Sequence, residues 1–282
     1  MTGSKRMWVV KMAVLAGLAA PCGWAQDPQL LNSQLFPPHK VIGNIYYVGS
    51  ATLASFLIPT PGGNILINSD FEETVPVIRS NVEKLGFRFA DIKILLGSHA
   101  HSDHMAGDAL VKQLTGARVM AMEQDVPALM KMTPGNKPHP MDRVLHDGDK
   151  VTLGGSTLVA HLTPGHTKGC TTWTTKVEEA GKSYDVVILC SIGVNAGYIL
   201  VNNPDYPQIA EDYIHSFGAL RELPCDVFLG AHGTFYGLAE KYAKLGKGGP
   251  NPFIDPTGYK AYIDAQEKTF YAKLNEQKKV AK

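Results

Sequence analysis

Ile92-Lys93-Ile94-Leu95-Leu96-Gly97-Ser98-His99-Ala100-His101-Ser102-Asp103-His104 is the stretch on which the fold turns. Its first five residues form a short apolar run of the buried-strand kind. The run stops at Gly97, and three imidazoles and one carboxylate follow within six positions. Open α/β architectures collect their ligand-handling groups where strands end. Zinc takes imidazole nitrogen and carboxylate oxygen. Four such residues in one loop do not converge comfortably on a single ion and are better shared by two. A buried Asp103 beside three histidines would be costly without a metal or another positive partner.

Working outward, Val41 to Tyr47 reads as one strand, and Ser55 to Ile58 as a second that Pro59 stops. Pro61-Gly62-Gly63 is a turn, and Asn64 to Ile67 a third strand. Glu72 to Leu85 reads as a helix with acidic residues in its first turn and Gly86 at its end. Beyond the His/Asp cluster come a helix from Asp108 to Leu114, a strand from Ala117 to Ala121 and helical sequence from Glu123 to Met132. Thr133 to Asp142 is a Pro-rich loop, and Val144 to Leu162 holds a hairpin turning near Gly154-Gly155. Thr171 to Thr175, Val186 to Leu189 and Asp226 to Leu229 read as strands. Gln208 to Leu223 is an amphipathic helix and Tyr259 to Lys279 a terminal one. Strands followed by helices in both halves predict an α/β fold with two sheets face to face and helices outside, in one domain spanning 26–282. Two more histidines stand at strand ends in the second half: His166 in Thr163-Pro164-Gly165-His166-Thr167, and His232 in Gly230-Ala231-His232-Gly233. His39, His139, His146, His161 and His215 lack ligand spacing.

Composition excludes other classes. The 282 residues carry a formal net charge of +1, 44% hydrophobic and 19% charged residues. That is a globular balance with no basic excess for nucleic acid. Lys5, Arg6 and Lys11, the apolar stretch Met12 to Ala20 and the small-residue site at Gly23-Trp24-Ala25 have the layout of a secretory signal peptide over residues 1–25. The expected product starts near Gln26 and is periplasmic. The apolar run is too short to span a bilayer, and Pro21 before Cys22 is a poor fit to a lipid-attachment site, so no stable membrane anchor is expected. Export leaves Cys170, Cys190 and Cys225 in an oxidising compartment. Cys170 and Cys190, on neighbouring strand-like runs, are the better pair; no bridge at all is the alternative.

HAHSDH over 99–104 resembles the HxHxDH signature of the metallo-β-lactamase superfamily. The His166 and His232 segments resemble its later histidine loops, in the same order, so the resemblance covers most of the chain. It implies the four-layer αβ/βα sandwich with two mixed sheets. It also implies a first zinc site of His99, His101 and His166 and a second of Asp103, His104 and His232, two zinc ions per chain. The superfamily includes thioesterases of the glyoxalase II type, lactonases, nucleases and β-lactamases. Glyoxalase-type members carry a metal-bridging Asp after the strand that follows the second histidine loop; here Ser191 stands at that place. With LTPGHTKGCTTW and SIGVNAGYILVNNPDYPQIAEDY, this is similar to subclass B3 β-lactamases.

That resemblance implies hydrolysis of the β-lactam amide bond of penicillins, cephalosporins and carbapenems by water activated between two zincs, and hence antibiotic resistance. Asp103 would orient that water. Ser191 and Asn195 are candidates for holding substrate, Ser191 at its carboxylate. Tyr198 is a candidate donor to the developing oxyanion. Plain turn and packing roles for Ser191 and Tyr198 are the alternatives. Ser102 and Thr167 read as loop-shaping. The Pro-rich loop is either a lid beside the cleft or an exposed connector. A monomer acting on a small molecule is expected; the competing function is a secreted thioester or lactone hydrolase.

Overall fold

The computed structural model describes Met1 and residues 35–281. Apart from Met1, the expected leader over 1–25, including Cys22, lies outside the described residues, as does Gln26.

Seven strands lie side by side in chain order in the first sheet: β1 (His39–Ile42), β2 (Ile45–Tyr47), β3 (Phe56–Thr60), β4 (Gly63–Ile67), β5 (Ile92–Leu96), β6 (Arg118–Met122) and β7 (Arg143–Leu145). The first three pairings are antiparallel and the last three parallel. Parallel neighbours need crossovers. These are α1 (Val75–Lys84), then α2 (Ser102–Met105) with α3 (Asp108–Thr115), then α4 (Val126–Leu129) with the Pro-rich segment. The second sheet holds β8 (Lys150–Leu153), β9 (Ser156–Leu162), β10 (Thr171–Glu179), β11 (Lys182–Leu189) and β12 (Val227–Gly230), in the order β12-β11-β10-β9-β8. Only β11 and β12 run parallel, joined through α5 (Ile209–Glu222). Helices α6 (Leu238–Lys244) and α7 (Pro256–Val280) complete the chain.

Side-chain alternation builds the layers. Ile65 and Ile67 of β4 and Ile94 and Leu96 of β5 face the second sheet's Leu158, Ala160, Trp173 and Ile188 in one core. Their alternates Leu66 and Leu95 pack outward under Val75, Ile78 and Val82 of α1. Helices α5 and α7 cover the second sheet with Tyr213, Phe217, Phe270 and Leu274. The result is the expected αβ/βα sandwich of two mixed sheets.

Three expectations need correction. Val41 to Tyr47 is two strands, because the chain reverses at Gly43-Asn44, where Gly43 takes φ +53°. Pro59 does not end its strand: its carbonyl accepts from Asn44 Nδ2 on the β2 side, beyond the last β2 pair, so no ladder N–H is required there. The hairpin expected within 144–162 is present, β8 and β9 pairing across Gly154-Gly155, while β7 at its start joins the first sheet instead. The 123–132 helix shrinks to a 3-10 turn and α4, and α6 was not anticipated.

Candidate metal centre

The ligand-type side chains come from both halves. His99 and His101 lie in the loop after β5, Asp103 and His104 in α2, His166 between β9 and β10, and His232 two residues past β12. Fixed bonds shape the first loop. Trp173 Nε1 donates to Gly97 O at 3.0 Å, Ser98 N to Asn68 Oδ1 at 2.9 Å, and Thr171 N to Ser98 O at 2.8 Å. His101 N donates to His99 O at 2.8 Å, a tight reversal at Ala100 that brings the two rings together. The His101 carbonyl then accepts from His104 N and Met105 N and starts α2.

Two sets of three emerge. In His99, His101 and His166, and again in Asp103, His104 and His232, the donor atoms all lie within 4.8 Å of one another. His99 Nε2 stands 3.0 Å from His101 Nδ1, and His104 Nε2 stands 3.2 Å from His232 Nε2. Asp103 Oδ2 is 3.4 Å from His104 Nε2 and 3.7 Å from His232 Nε2. Donors about 2.0–2.1 Å from a tetrahedral metal are separated by edges of about 3.3 Å, so both sets fit a cation of that kind. His166 Nδ1 bonds Gly193 O at 2.7 Å, which leaves Nε2 for the cluster, the usual arrangement of a metal-binding histidine.

Electrostatics agree. Burial and neighbouring imidazoles hold His99 and His104 well below the usual histidine range. Burial, reinforced by His101, lowers His166 to about 3. Burial also lowers His101 and His232, against the pull of Asp103. At neutral pH the rings are uncharged, with lone pairs available to a cation.

Around the clusters, the Tyr198 hydroxyl donates to His166 O at 2.8 Å and lies 3.5 Å from His101 Nε2; burial pushes it up to about 12. Asn195 is exposed and its carbonyl takes Tyr198 N at 3.3 Å. Ser191 is buried just beyond β11. Cys170 and Cys190 form a disulfide with Cα atoms 5.8 Å apart, and Cys225 is free, its thiol pushed up to about 12 by burial. Cys190 Sγ lies 3.4 Å from His99 Nδ1, behind the ligand ring, not at its cluster-facing nitrogen. The Pro-rich loop is pinned: His139 Nε2 is 3.0 Å from buried Asp108 Oδ2, and Lys137 Nζ is 3.2 Å from Glu72 Oε1.

Sequence reasoning missed the groups that hold these loops. Thr167 shapes its loop as expected, donating to Asp125 Oδ2 at 2.8 Å. Asp125 itself carried no signal to set it apart from nearby Glu123. Gln277 and Lys273 of α7, which bond the loop bearing Tyr198, were plain polar helix residues in the sequence.

The sandwich and its paired three-donor clusters define a metal-dependent hydrolase of the metallo-β-lactamase kind. The family described as the metallo-beta-lactamase superfamily matches residues 49–232. The chain belongs to that superfamily. Native FEZ-1 metallo-β-lactamase from Legionella gormanii is 52% identical with a TM-score of 0.83, over 87% of this chain and 98% of that one. BJP-1, a subclass B3 metallo-β-lactamase of Bradyrhizobium japonicum, is 37% identical with a TM-score of 0.83, over 89% and 98%. A hydroxyacylglutathione hydrolase of Fuscovulum blasticum is 33% identical over 100 residues, 36% of this chain. The match spans 34% of that relative's length.

Proposed function

We propose that this chain is a periplasmic B3-type β-lactamase that binds two zinc ions and hydrolyses the amide bond of penicillins, cephalosporins and carbapenems as a monomer. One observation carries the reading: both three-donor clusters are complete, while Cys190-Ser191-Ile192-Gly193 after β11 offers no carboxylate between them. The likeness to FEZ-1 over nearly its whole length supports it.

His99, His101 and His166 would hold one zinc, and Asp103, His104 and His232 the other. Zinc bound there supplies a Lewis acid and lowers the pKa of water to about 7. The chain's own residues do the rest. Asp103, which would help to hold the second zinc, would also orient the attacking water. Ser191 donates its hydroxyl to the substrate carboxylate, and Asn195 helps to hold the substrate. Tyr198 releases His166 O and turns its hydroxyl to the developing oxyanion, a contact worth about 2–4 kcal/mol.

A second reading, thioester or lactone hydrolysis, is favoured by the hydroxyacylglutathione hydrolases among the relatives. One assay separates them: purified protein is offered a carbapenem and a glutathione thioester, with and without a chelator. Chelator-sensitive carbapenem turnover is expected. Turnover of the thioester alone would overturn the β-lactamase reading. The proposed periplasmic location is checked by mass spectrometry of the periplasmic fraction, with a product starting near Gln26 expected and a full-length cytosolic product refuting it.

A further inference from the structure

Asp125 belongs to neither donor set, yet it is buried at 3% exposure where β6 runs into α4. Its Oδ2 accepts from Ala100 N at 2.8 Å and from the Thr167 hydroxyl at 2.8 Å; its Oδ1 accepts from Gly169 N at 2.7 Å. Ala100 lies between His99 and His101, and Thr167 follows His166. One carboxylate therefore ties the loop that carries two donors of the all-histidine cluster to the loop that carries the third. Hydrogen bonds to an ionised acceptor are about twice as strong as neutral ones.

The fit is close. A Cβ at Gly169 would lie 2.5 Å from Asp125 N and 2.7 Å from its Cγ, so the second loop meets Asp125 with no room for any side chain. The other cluster has separate anchors. The His104 carbonyl accepts from Ser69 N at 3.0 Å and Asp70 N at 3.1 Å. His232 is bridged to Leu53, and Gly233 N donates to Thr52 O at 2.9 Å. None of these bonds involves Asp125.

We propose that Asp125 is a positioning residue that assembles the three-histidine site across the two loops and so sets its metal affinity independently of the Asp103–His104–His232 site. This rests on the two-metal reading above. A tie serving only overall stability would weaken both sites together.

Asp125→Asn keeps the shape but replaces one acceptor oxygen by an NH2 that faces donors, leaving at least one of the three N–H or O–H groups unpaired. The test places it in two backgrounds of the full chain. Asp103→Asn impairs the second site and leaves the three-histidine site; His101→Ala does the reverse. Zinc affinity is read by competition with a chromophoric chelator, and Co(II) absorption spectra report the geometry of the remaining site. In the Asp103→Asn background Asp125→Asn should weaken zinc roughly 10–100-fold and shift the Co(II) spectrum. In the His101→Ala background it should leave both unchanged. Gly169→Ala, which displaces Asp125 by contact alone, should reproduce the pattern if Asp125→Asn fails to fold. Equal weakening in both backgrounds, or none in either, overturns the proposal. An unaltered chain that takes up only one ion, or none, overturns the two-metal reading instead, and the proposal with it.

Discussion

Ser191 is the residue whose chemistry divides the two enzyme readings. It sits buried directly after the disulfide cysteine Cys190, where glyoxalase-type relatives carry a bridging carboxylate by the resemblance described above. If its hydroxyl holds the substrate carboxylate in both ground and transition states, Ser191→Ala raises KM more than it lowers kcat. One hydrogen bond to a charged group is worth about 1.5–3 kcal/mol, so kcat/KM should fall roughly tenfold to a hundredfold. Ser191→Asp sets a negative charge beside an anionic substrate while adding a possible metal ligand. Lactam hydrolysis should fall steeply while zinc affinity holds or rises. Steady-state kinetics with a penicillin, together with metal analysis, check both; full activity in Ser191→Asp would end the use of this position to tell the classes apart. The donors themselves were legible at this scale, because His and Asp in tight spacing at a strand end have few roles in a core. The residues that hold them were not. Asp125 and Trp173 act through backbone groups of Ala100, Gly169 and Gly97, far away in sequence, and a backbone N–H or carbonyl looks the same at every position.

The terminal helix α7 acts on the candidate site from outside it. Lys273 and Gln277 are four residues apart and share one helix face. Lys273 Nζ donates to Val194 O; Gln277 donates to Tyr198 O at 2.8 Å and accepts from Leu200 N at 2.7 Å. Residues 190–208 form no strand or helix, so these side chains replace the ladder bonds that the loop lacks. Gln277→Ala removes two bonds, about 0.5–1.5 kcal/mol each. Amide exchange in 194–200 should quicken, and kcat/KM should drop roughly tenfold with the metal content of the parent unchanged. Exchange and kinetics unchanged from the parent would show that the loop holds its shape unaided. Elements of strong pattern are legible in the sequence: β5 falls on its apolar run to the residue, and α5 and α7 on their helical patterns to within three. Elements defined by pairing are not. The assignment of β7 to the first sheet depends on β6 beside it, and the extension of β10 and β11 to Glu179 and Lys182 depends on their mutual ladder. Neither partner is visible in a local window of sequence.

At the scale of the molecule, both clusters straddle the sandwich. The first takes two donors from the β5 side and one from the β9–β10 loop; the second takes two from α2 and one from the end of β12. A metal in either place therefore joins the half that carries the first sheet to the half that carries the second. It adds stability by mass action, since the unfolded chain cannot present three donors at these separations. At a free metal concentration 1,000 times Kd, each ion contributes about 4 kcal/mol. Without metal, five buried or half-buried imidazoles and the Asp103 carboxylate would face one another with no cation between them, so metal-free protein is expected to keep the sandwich but to lose this link. Domains of this size shift by about 2–4 °C per kcal/mol. Two ions should therefore raise Tm on the order of 15–30 °C over chelator-treated protein, and His101→Ala or His232→Ala should each forfeit about half of that gain. Calorimetry of the loaded, chelated and singly substituted chains measures all of these. Superimposable melting curves for the loaded and chelated forms would mean that the clusters bind no ion strongly enough to bridge the two halves.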